Sequence, residues 1–190
     1  MNTPVSINSY YEEAVALLSK LIETPSLSKD EDRTADLIGE FLKGKGIPFQ
    51  RSGNNIWAQN LNFDPSKPTI LLNSHHDTVK PNSGYTRDPF KAATEDGKLF
   101  GLGSNDAGGC LVSLIMTFVH FYEAPLPYNL ILAATAEEEI SGKEGVESIL
   151  VELKLIEFAV VGEPTEMNMA VAEKGLMVLD CYAKGVSGHA

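Results

Sequence analysis

The stretch Pro68-Thr-Ile-Leu-Leu-Asn-Ser74 is a short apolar run with a polar exit, and it leads directly into His75-His-Asp77. A continuous apolar run of this length is typical of a strand buried inside a sheet. Runs 129–135 and 158–161 have the same character, and the intervening segments 108–122 and 145–153 suit helices. Alternating strands and helices predict an α/β fold, in which helices sandwich a mixed, mostly parallel sheet.

Other local signals predict the elements around these strands. Capping signatures at Ser9/Glu12 and Ser28/Glu31 predict the starts of two N-terminal helices. Asp96-Gly97 predicts the turn of a β-hairpin. Further strands are predicted at 55–59 and, as a final pair, at 169–172 and 176–182.

Polar clusters follow the three buried strands where each strand ends. His75 and Asp77 follow the first, Glu137-Glu-Glu139 follows the second and Glu163 follows the third, while Gly101-Leu-Gly-Ser-Asn-Asp106 leads into the long apolar helix. Ligands of α/β sheets bind at the carboxyl ends of the strands, so we expect these clusters to converge. Imidazole combined with carboxylates suits zinc, with manganese or cobalt as alternatives.

The run Glu137-Glu-Glu139 is the most informative of these clusters. Three adjacent carboxylates repel one another, and a metal ion would neutralise one and leave its neighbour free to accept a proton from water. A solvated acidic loop is the alternative, which we disfavour because the run directly leaves a hydrophobic strand. His75 and Asp77 lie on the same face of their strand, where the carboxylate can orient the imidazole. His76 faces the other way, and its role stays open.

Several other classes of protein are disfavoured. The formal net charge of −11 argues against nucleic-acid binding. No basic run and no apolar stretch of about 20 residues indicates a membrane partner. Gly101-x-Gly103 lacks the strand–GxGxxG–helix context of a nucleotide site, and no Gly-x-Ser-x-Gly elbow is present. Cys110 and Cys181 form no CxxC pair and are expected to be buried free thiols. Free thiols and the lack of a visible signal peptide are consistent with a cytoplasmic protein.

In these motifs the chain resembles the M20 metallopeptidase family, which includes acetylornithine deacetylases, succinyl-diaminopimelate desuccinylases, aminoacylases and carboxypeptidases. No single motif is specific, but five occur in the family's order. They are 74–79 (Ser-His-His-Asp-Thr-Val), 101–106, 135–140 (Thr-Ala-Glu-Glu-Glu-Ile), 161–165 (Val-Gly-Glu-Pro-Thr) and 185–189 (Gly-Val-Ser-Gly-His). The phrases around 72–75, 101–109 and 173–178 are closest to the acetylornithine deacetylase-like branch.

The resemblance implies a zinc-exopeptidase-like catalytic domain with two zinc ions. It implies metal ligands at His75, Asp106, Glu139 and Glu163, with Asp106 bridging and followed by a cis peptide bond. Glu138 becomes the general base, Asp77 the carboxylate that orients His75, and His189 a lid-domain group that polarises the substrate carbonyl. The implied reaction is hydrolysis of an N-acyl amino acid, such as N-acetyl- or N-succinyl-ornithine in arginine biosynthesis.

The resemblance also leaves alternatives open. The chain departs from the family at His76, Leu102 and Gly108, which puts substrate contacts in doubt but touches no ligand. The family's last metal-binding histidine follows an inserted lid, so we expect residues 1–175 to belong to the catalytic domain and residues 176–190 to begin the lid. A full-length homodimer is expected. A dipeptidase or carboxypeptidase, and a metal-binding fragment without turnover, remain as alternative functions.

Overall fold

A computed structural model describes residues 6–153 and 156–172, and then residues 174, 175, 177, 179, 181–186 and 188. The helices of this part are α1 (Ile7–Ile22), α2 (Asp32–Gly44), α3 (Gly109–Phe121) and α4 (Val146–Leu153). Its strands are β1 (Gln50–Ser52), β2 (Asn55–Gln59), β3 (Thr69–His75), β4 (Ala93–Glu95), β5 (Lys98–Phe100), β6 (Asn129–Thr135) and β7 (Ile156–Val161). Short helical turns at Ser104–Gly108 and Glu138–Ile140 lie beside the polar clusters.

Five strands form one mixed sheet in the order β1-β2-β6-β3-β7, and β4 and β5 form the predicted hairpin. β3 pairs in parallel with both β6 and β7, whereas the β1–β2 and β2–β6 pairs are antiparallel. The mixed α/β sheet is therefore confirmed, with its parallel pairings gathered around β3. In register, His75 lies level with Thr135, and Asn73 with Val161, so the carboxyl ends of β3, β6 and β7 meet at one edge.

Helices cover both faces of the sheet around β3 and β6, as predicted, but the strand at 158–161, which was expected to be buried, is exposed in β7. Successive strand residues point to opposite faces, and Leu72 and Leu132 accordingly pack with α1, α2 and α3, while Leu71 and Ile131 pack with α4. The larger core includes Phe118 of α3, which is fully buried. Burying an apolar side chain of this kind contributes about 1.5–3 kcal/mol, so the helices fix the sheet and the positions of its strand ends.

The first two helices do not begin with the caps that the sequence predicted. The first helix begins earlier, with Ser6 as its N-cap and the Ser6 hydroxyl accepting the N–H of Ser9 at 3.3 Å. α2 begins at Asp32, after Glu31, and no side chain caps its first turn. The side chains of Ser28 and Glu31 turn instead toward the sheet edge that carries the polar clusters.

The last part of the described chain also differs from prediction. Residues 169–172 belong to no strand and are exposed, so the strand predicted there is wrong. The described members of 176–182 likewise have no strand assignment. A strand requires a hydrogen-bonded neighbour, and β7, the edge strand of the sheet, pairs only with β3 among the described elements.

Two further sequence predictions can be compared with the structure. Both cysteines are free, but only Cys110 is partly buried and Cys181 is exposed, so the prediction of two buried thiols is wrong for Cys181. None of the helices in the described ranges combines the length and the apolar character needed to cross a bilayer.

Gly101, directly after β5, occupies a position that excludes a side chain. Its φ is +151°, and a Cβ atom would collide with Ile22 in the core. We expect Gly101→Ala to lower the free energy of unfolding by about 1–3 kcal/mol because it combines backbone strain with overpacking. Thermal or urea unfolding measures the effect. Gly44→Ala is the matched control, since a Cβ there meets nothing within 4 Å; equal stability of the two variants would contradict the prediction.

Candidate metal centre

The sheet edge formed by the carboxyl ends of β3, β6 and β7 carries the predicted polar clusters. Hydrogen bonds across the strands hold this edge together. Ser74 donates through its hydroxyl to the carbonyl of Gly162 at 2.8 Å, and the Gly162 N–H donates to the carbonyl of Asn73 at 2.8 Å. The residues that follow each strand are thereby placed next to one another.

His75 lies at the centre of this edge and is buried. Its Nδ1 lies 3.1 Å from the carbonyl oxygen of Asp77 and 3.3 Å from Asp77 Oδ1. Its Nε2 faces three acidic side chains, at 3.2 Å from Asp106 Oδ1, 3.8 Å from Glu138 Oε2 and 3.9 Å from Glu163 Oε1. One ring nitrogen is thus occupied by Asp77, and the other is directed into the acidic cluster.

One group in the described residues has the geometry of a metal site. His75, Asp106 and Glu139 each offer a ligand atom, and these atoms all lie within 4.8 Å of one another. Glu163, which the family resemblance implies as a further ligand, stands beside this triplet, at 3.9 Å from His75 Nε2. Glu138 is close as well, with a side chain that is half exposed. The structure therefore brings together five of the predicted site residues.

Asp106 reaches the cluster from the turn Ser104–Gly108, which precedes α3. The peptide bond between Asp106 and Ala107 is cis, as the family resemblance implied. Gly103 begins the turn with a φ of +75°, a left-handed conformation that favours glycine.

Asp77 lies directly behind the cluster and is fully buried. Besides facing His75, its carboxylate accepts the Ser28 hydroxyl at 2.7 Å and the N–H groups of Glu138 and Glu139 at 3.1 and 3.2 Å. Burial raises the pKa of Asp77, but the hydrogen bonds from His75 and Ser28 outweigh burial and lower it. Asp77 is consequently a charged acceptor that touches both the histidine and the acidic turn.

The electrostatics of the cluster favour a cation. Burial lowers the pKa of His75, but its hydrogen bond to Asp77 and the charges of Asp77, Glu163 and Glu138 outweigh burial and raise it to about 9. Burial, followed by the neighbouring acids, raises the pKa values of Glu139 and Glu163. Among the described residues, only His75 forms salt bridges with these acids. An imidazole with several carboxylates and no other cation suits a divalent metal.

Two other histidines considered from the sequence, His76 and His189, are not part of the cluster that the structure describes. His76 points away from the cluster, as strand alternation predicted, with Nδ1 at 2.8 Å from the Thr34 hydroxyl and Nε2 at 3.0 Å from the carbonyl oxygen of Asn54. Burial lowers its pKa. His189 lies outside the described residues.

The α/β sheet and the histidine–carboxylate cluster at its strand ends place the protein among α/β proteins with a candidate divalent-metal centre. The model of peptidase family M20/M25/M40 matches residues 71–176, more than half of the chain, and the chain therefore belongs to this family.

Named relatives agree with this assignment. The chain is 30% identical over 199 residues to an acetylornithine deacetylase of Edwardsiella ictaluri, covering 96% of this chain and 51% of the relative. It is 30% identical over 194 residues to a succinyl-diaminopimelate desuccinylase of Cereibacter sphaeroides, covering 93% and 50%. The M20 family metallo-carboxypeptidase Sso-CP2 of Sulfolobus solfataricus has a similar structure, with a TM-score of 0.66 and 25% identity over 79% of this chain and 37% of that chain. The chain spans about half the length of the curated relatives it matches.

Proposed function

We propose that this protein is a metal-dependent hydrolase that cleaves the amide bond of an N-acyl amino acid. The observation that carries the proposal is the cluster at the strand ends, where possible ligand atoms of His75, Asp106 and Glu139 lie within 4.8 Å of one another and Glu138 stands beside them. The names of the desuccinylase and deacetylase relatives, which denote removal of a succinyl or an acetyl group, support an acyl amide as the substrate class.

We assign the ligands as the family resemblance implies: His75 and Glu163 would hold one ion, Glu139 would hold a second, and Asp106 would contribute to both. Zinc, with cobalt or manganese as alternatives, would polarise the attacking water and the acyl carbonyl. Asp77 orients His75 through Nδ1, so that Nε2 faces the ligand cluster.

Glu138 is the general base of the proposed reaction. Its carboxylate accepts a proton from water as the C–O bond forms, and passes that proton to the nitrogen of the leaving amine as the C–N bond breaks. A half-exposed side chain 3.8 Å from His75 Nε2 is accessible to both water and substrate. His189 is assigned to the substrate carbonyl on the family resemblance alone.

The proposal extends to the substrate, the pathway, the location, the domain boundaries and the oligomeric state. N-acetyl- or N-succinyl-ornithine is the proposed substrate, arginine biosynthesis the proposed pathway and the cytoplasm the proposed location. Residues 1–175 are proposed to belong to the catalytic domain and 176–190 to begin a lid, with a homodimer for the full-length protein.

A second candidate is peptide hydrolysis, as a dipeptidase or carboxypeptidase. The similarity to the Sulfolobus solfataricus metallo-carboxypeptidase favours it. Both reactions hydrolyse an amide, so the cluster serves either, and the side chains around the substrate decide between them.

The test is a parallel assay of the protein expressed from its complete reading frame and loaded with zinc. We expect hydrolysis of N-acetyl- or N-succinyl-ornithine, loss of activity with a chelator and recovery with added zinc. Preference for simple dipeptides would favour the second candidate. Absence of any bound divalent ion in elemental analysis would contradict the metal centre itself, and bound metal without turnover on any of these substrates would contradict the hydrolase.

A further inference from the structure

The main chain of Glu137–Glu139 is held by two buried carboxylates that belong to other parts of the fold. Asp77 accepts the N–H groups of Glu138 and Glu139, and Glu31 accepts the N–H of Glu137 at 3.2 Å. Three successive peptide groups therefore donate to side-chain carboxyl oxygens of distant residues.

Glu31 is an unusual residue for this position, because its carboxylate is fully buried just before α2. Its Oε1 accepts the N–H of Lys29 at 2.7 Å as well as that of Glu137, and its Oε2 accepts the side-chain amide of Asn54 at 2.8 Å. No salt bridge to Glu31 occurs within the described ranges. A buried carboxylate is stable only where hydrogen bonds satisfy it, so these three N–H donors account for its position.

Glu137 needs an external restraint because its backbone is left-handed, with a φ of +55°. A residue with a side chain adopts this conformation only where the surrounding structure imposes it. The Glu137 carbonyl also accepts the N–H of Gly142 at 2.8 Å, which closes the turn from its other side. Relaxation of Glu137 would change the direction of the chain immediately before Glu138.

The neighbourhood of Glu31 is itself anchored to the end of β3. Asn54, which donates to Glu31, accepts His76 Nε2 through its carbonyl oxygen, and the Thr34 hydroxyl lies 2.8 Å from His76 Nδ1. The Ser26 hydroxyl donates to the carbonyl of His76 at 2.8 Å. The carboxylate of Glu31 is thereby fixed relative to the strand that ends in His75.

We infer that Glu31 is a positioning residue for the site: it acts through the N–H of Glu137 and holds Glu138 and Glu139 in register with His75. The hydrogen bonds of its carboxylate run to Lys29, Asn54 and Glu137, none of which is a proposed metal ligand. The inference concerns the same site as the proposed function and rests on it for the roles of Glu138 and Glu139.

Hydrogen–deuterium exchange of the Glu137 amide, followed by NMR with and without zinc in the protein expressed from its complete reading frame, tests the hydrogen bond directly. We expect Glu31→Ala to accelerate this exchange by about 10–100-fold, because the buried N–H of Glu137 loses its acceptor. Zinc affinity and kcat are expected to fall by about 10–100-fold, with little change in KM.

Two further variants make the test specific. Glu31→Gln keeps an oxygen that can accept the N–H groups of Glu137 and Lys29 but places an amide nitrogen against the Asn54 donor, so it should restore part of the protection and of the zinc affinity. Glu40→Ala, an exposed glutamate of α2, should leave both unchanged.

Unchanged exchange at Glu137 in Glu31→Ala would overturn the inference. A rise that is equal at Glu137 and throughout β6 would overturn it too, because that result reports general instability. The exchange and zinc titrations do not depend on turnover, so they judge Glu31 even if no substrate is hydrolysed and the proposed function fails.

Discussion

Glu138→Gln is expected to retain the metal ions and to lose hydrolysis, with kcat reduced by about 100- to 10,000-fold. The amide has nearly the same shape as the carboxylate and can still be accommodated 3.8 Å from His75 Nε2, but it cannot accept the proton of the attacking water. The Glu138 N–H bond to Asp77 involves the main chain and is unaffected by the substitution. Steady-state kinetics together with elemental analysis of the purified variant measure both parts of the prediction.

The matched control for this variant is Glu147→Gln. Glu147 is an exposed glutamate in the first turn of α4, and the same chemical change there should leave kcat unchanged. Full activity in Glu138→Gln with its metal content intact would show that another group accepts the proton. A loss of metal together with activity would instead assign Glu138 to the ligand set.

His75→Ala is expected to have the largest effect on metal binding. It removes the one nitrogen ligand from the triplet with Asp106 and Glu139 and leaves an acidic cluster with no imidazole. The loss of zinc affinity should exceed the about 10–100-fold that is typical of residues outside the ligand set. Isothermal titration with zinc measures the affinity, and circular dichroism establishes whether the variant folds.

His120→Ala serves as the control for His75→Ala. His120 is an exposed histidine on α3 that packs edge-to-face against Tyr10 and Phe121, away from the cluster. Zinc should bind this variant as it binds the unaltered protein. If His75→Ala folds and binds zinc with unchanged affinity, the metal centre is not at this sheet edge.

The central strands could be predicted because burial leaves a direct signature in sequence. The bounds predicted for β2 and β6 agree with the structure, since each is a short run whose side chains fill the cores on the two faces of the sheet. β1 was missed because Gln50, Arg51 and Ser52 form an edge strand without an apolar pattern. The strand predicted at 169–172 was wrong because an apolar run specifies a strand only where a neighbour can pair with it.

The residues of the site likewise include some that could be predicted from sequence and some that could not. Most of these residues could be proposed from sequence because they directly follow apolar strands, and parallel strands bring their carboxyl ends to one edge. Asp106 follows no such strand and lies in the turn before α3. Ser28 and Glu31 were interpreted as helix-capping residues, because a capping signature is a local pattern. Their true partners are distant: Ser28 binds Asp77, 49 residues away, and Glu31 binds the N–H of Glu137, 106 residues away.

By itself, therefore, the sequence determined the α/β class, the central strands β3 and β6 and the acids and histidine of the site, because these depend on local apolar patterns and on short motifs. Only the tertiary structure decided the order of the strands, the left-handed turn at Glu137 and the choice of Glu31 and Asp77 as acceptors for the acidic turn. Those features depend on which distant groups meet when the chain packs, and a buried carboxylate acquires its partners only from that packing.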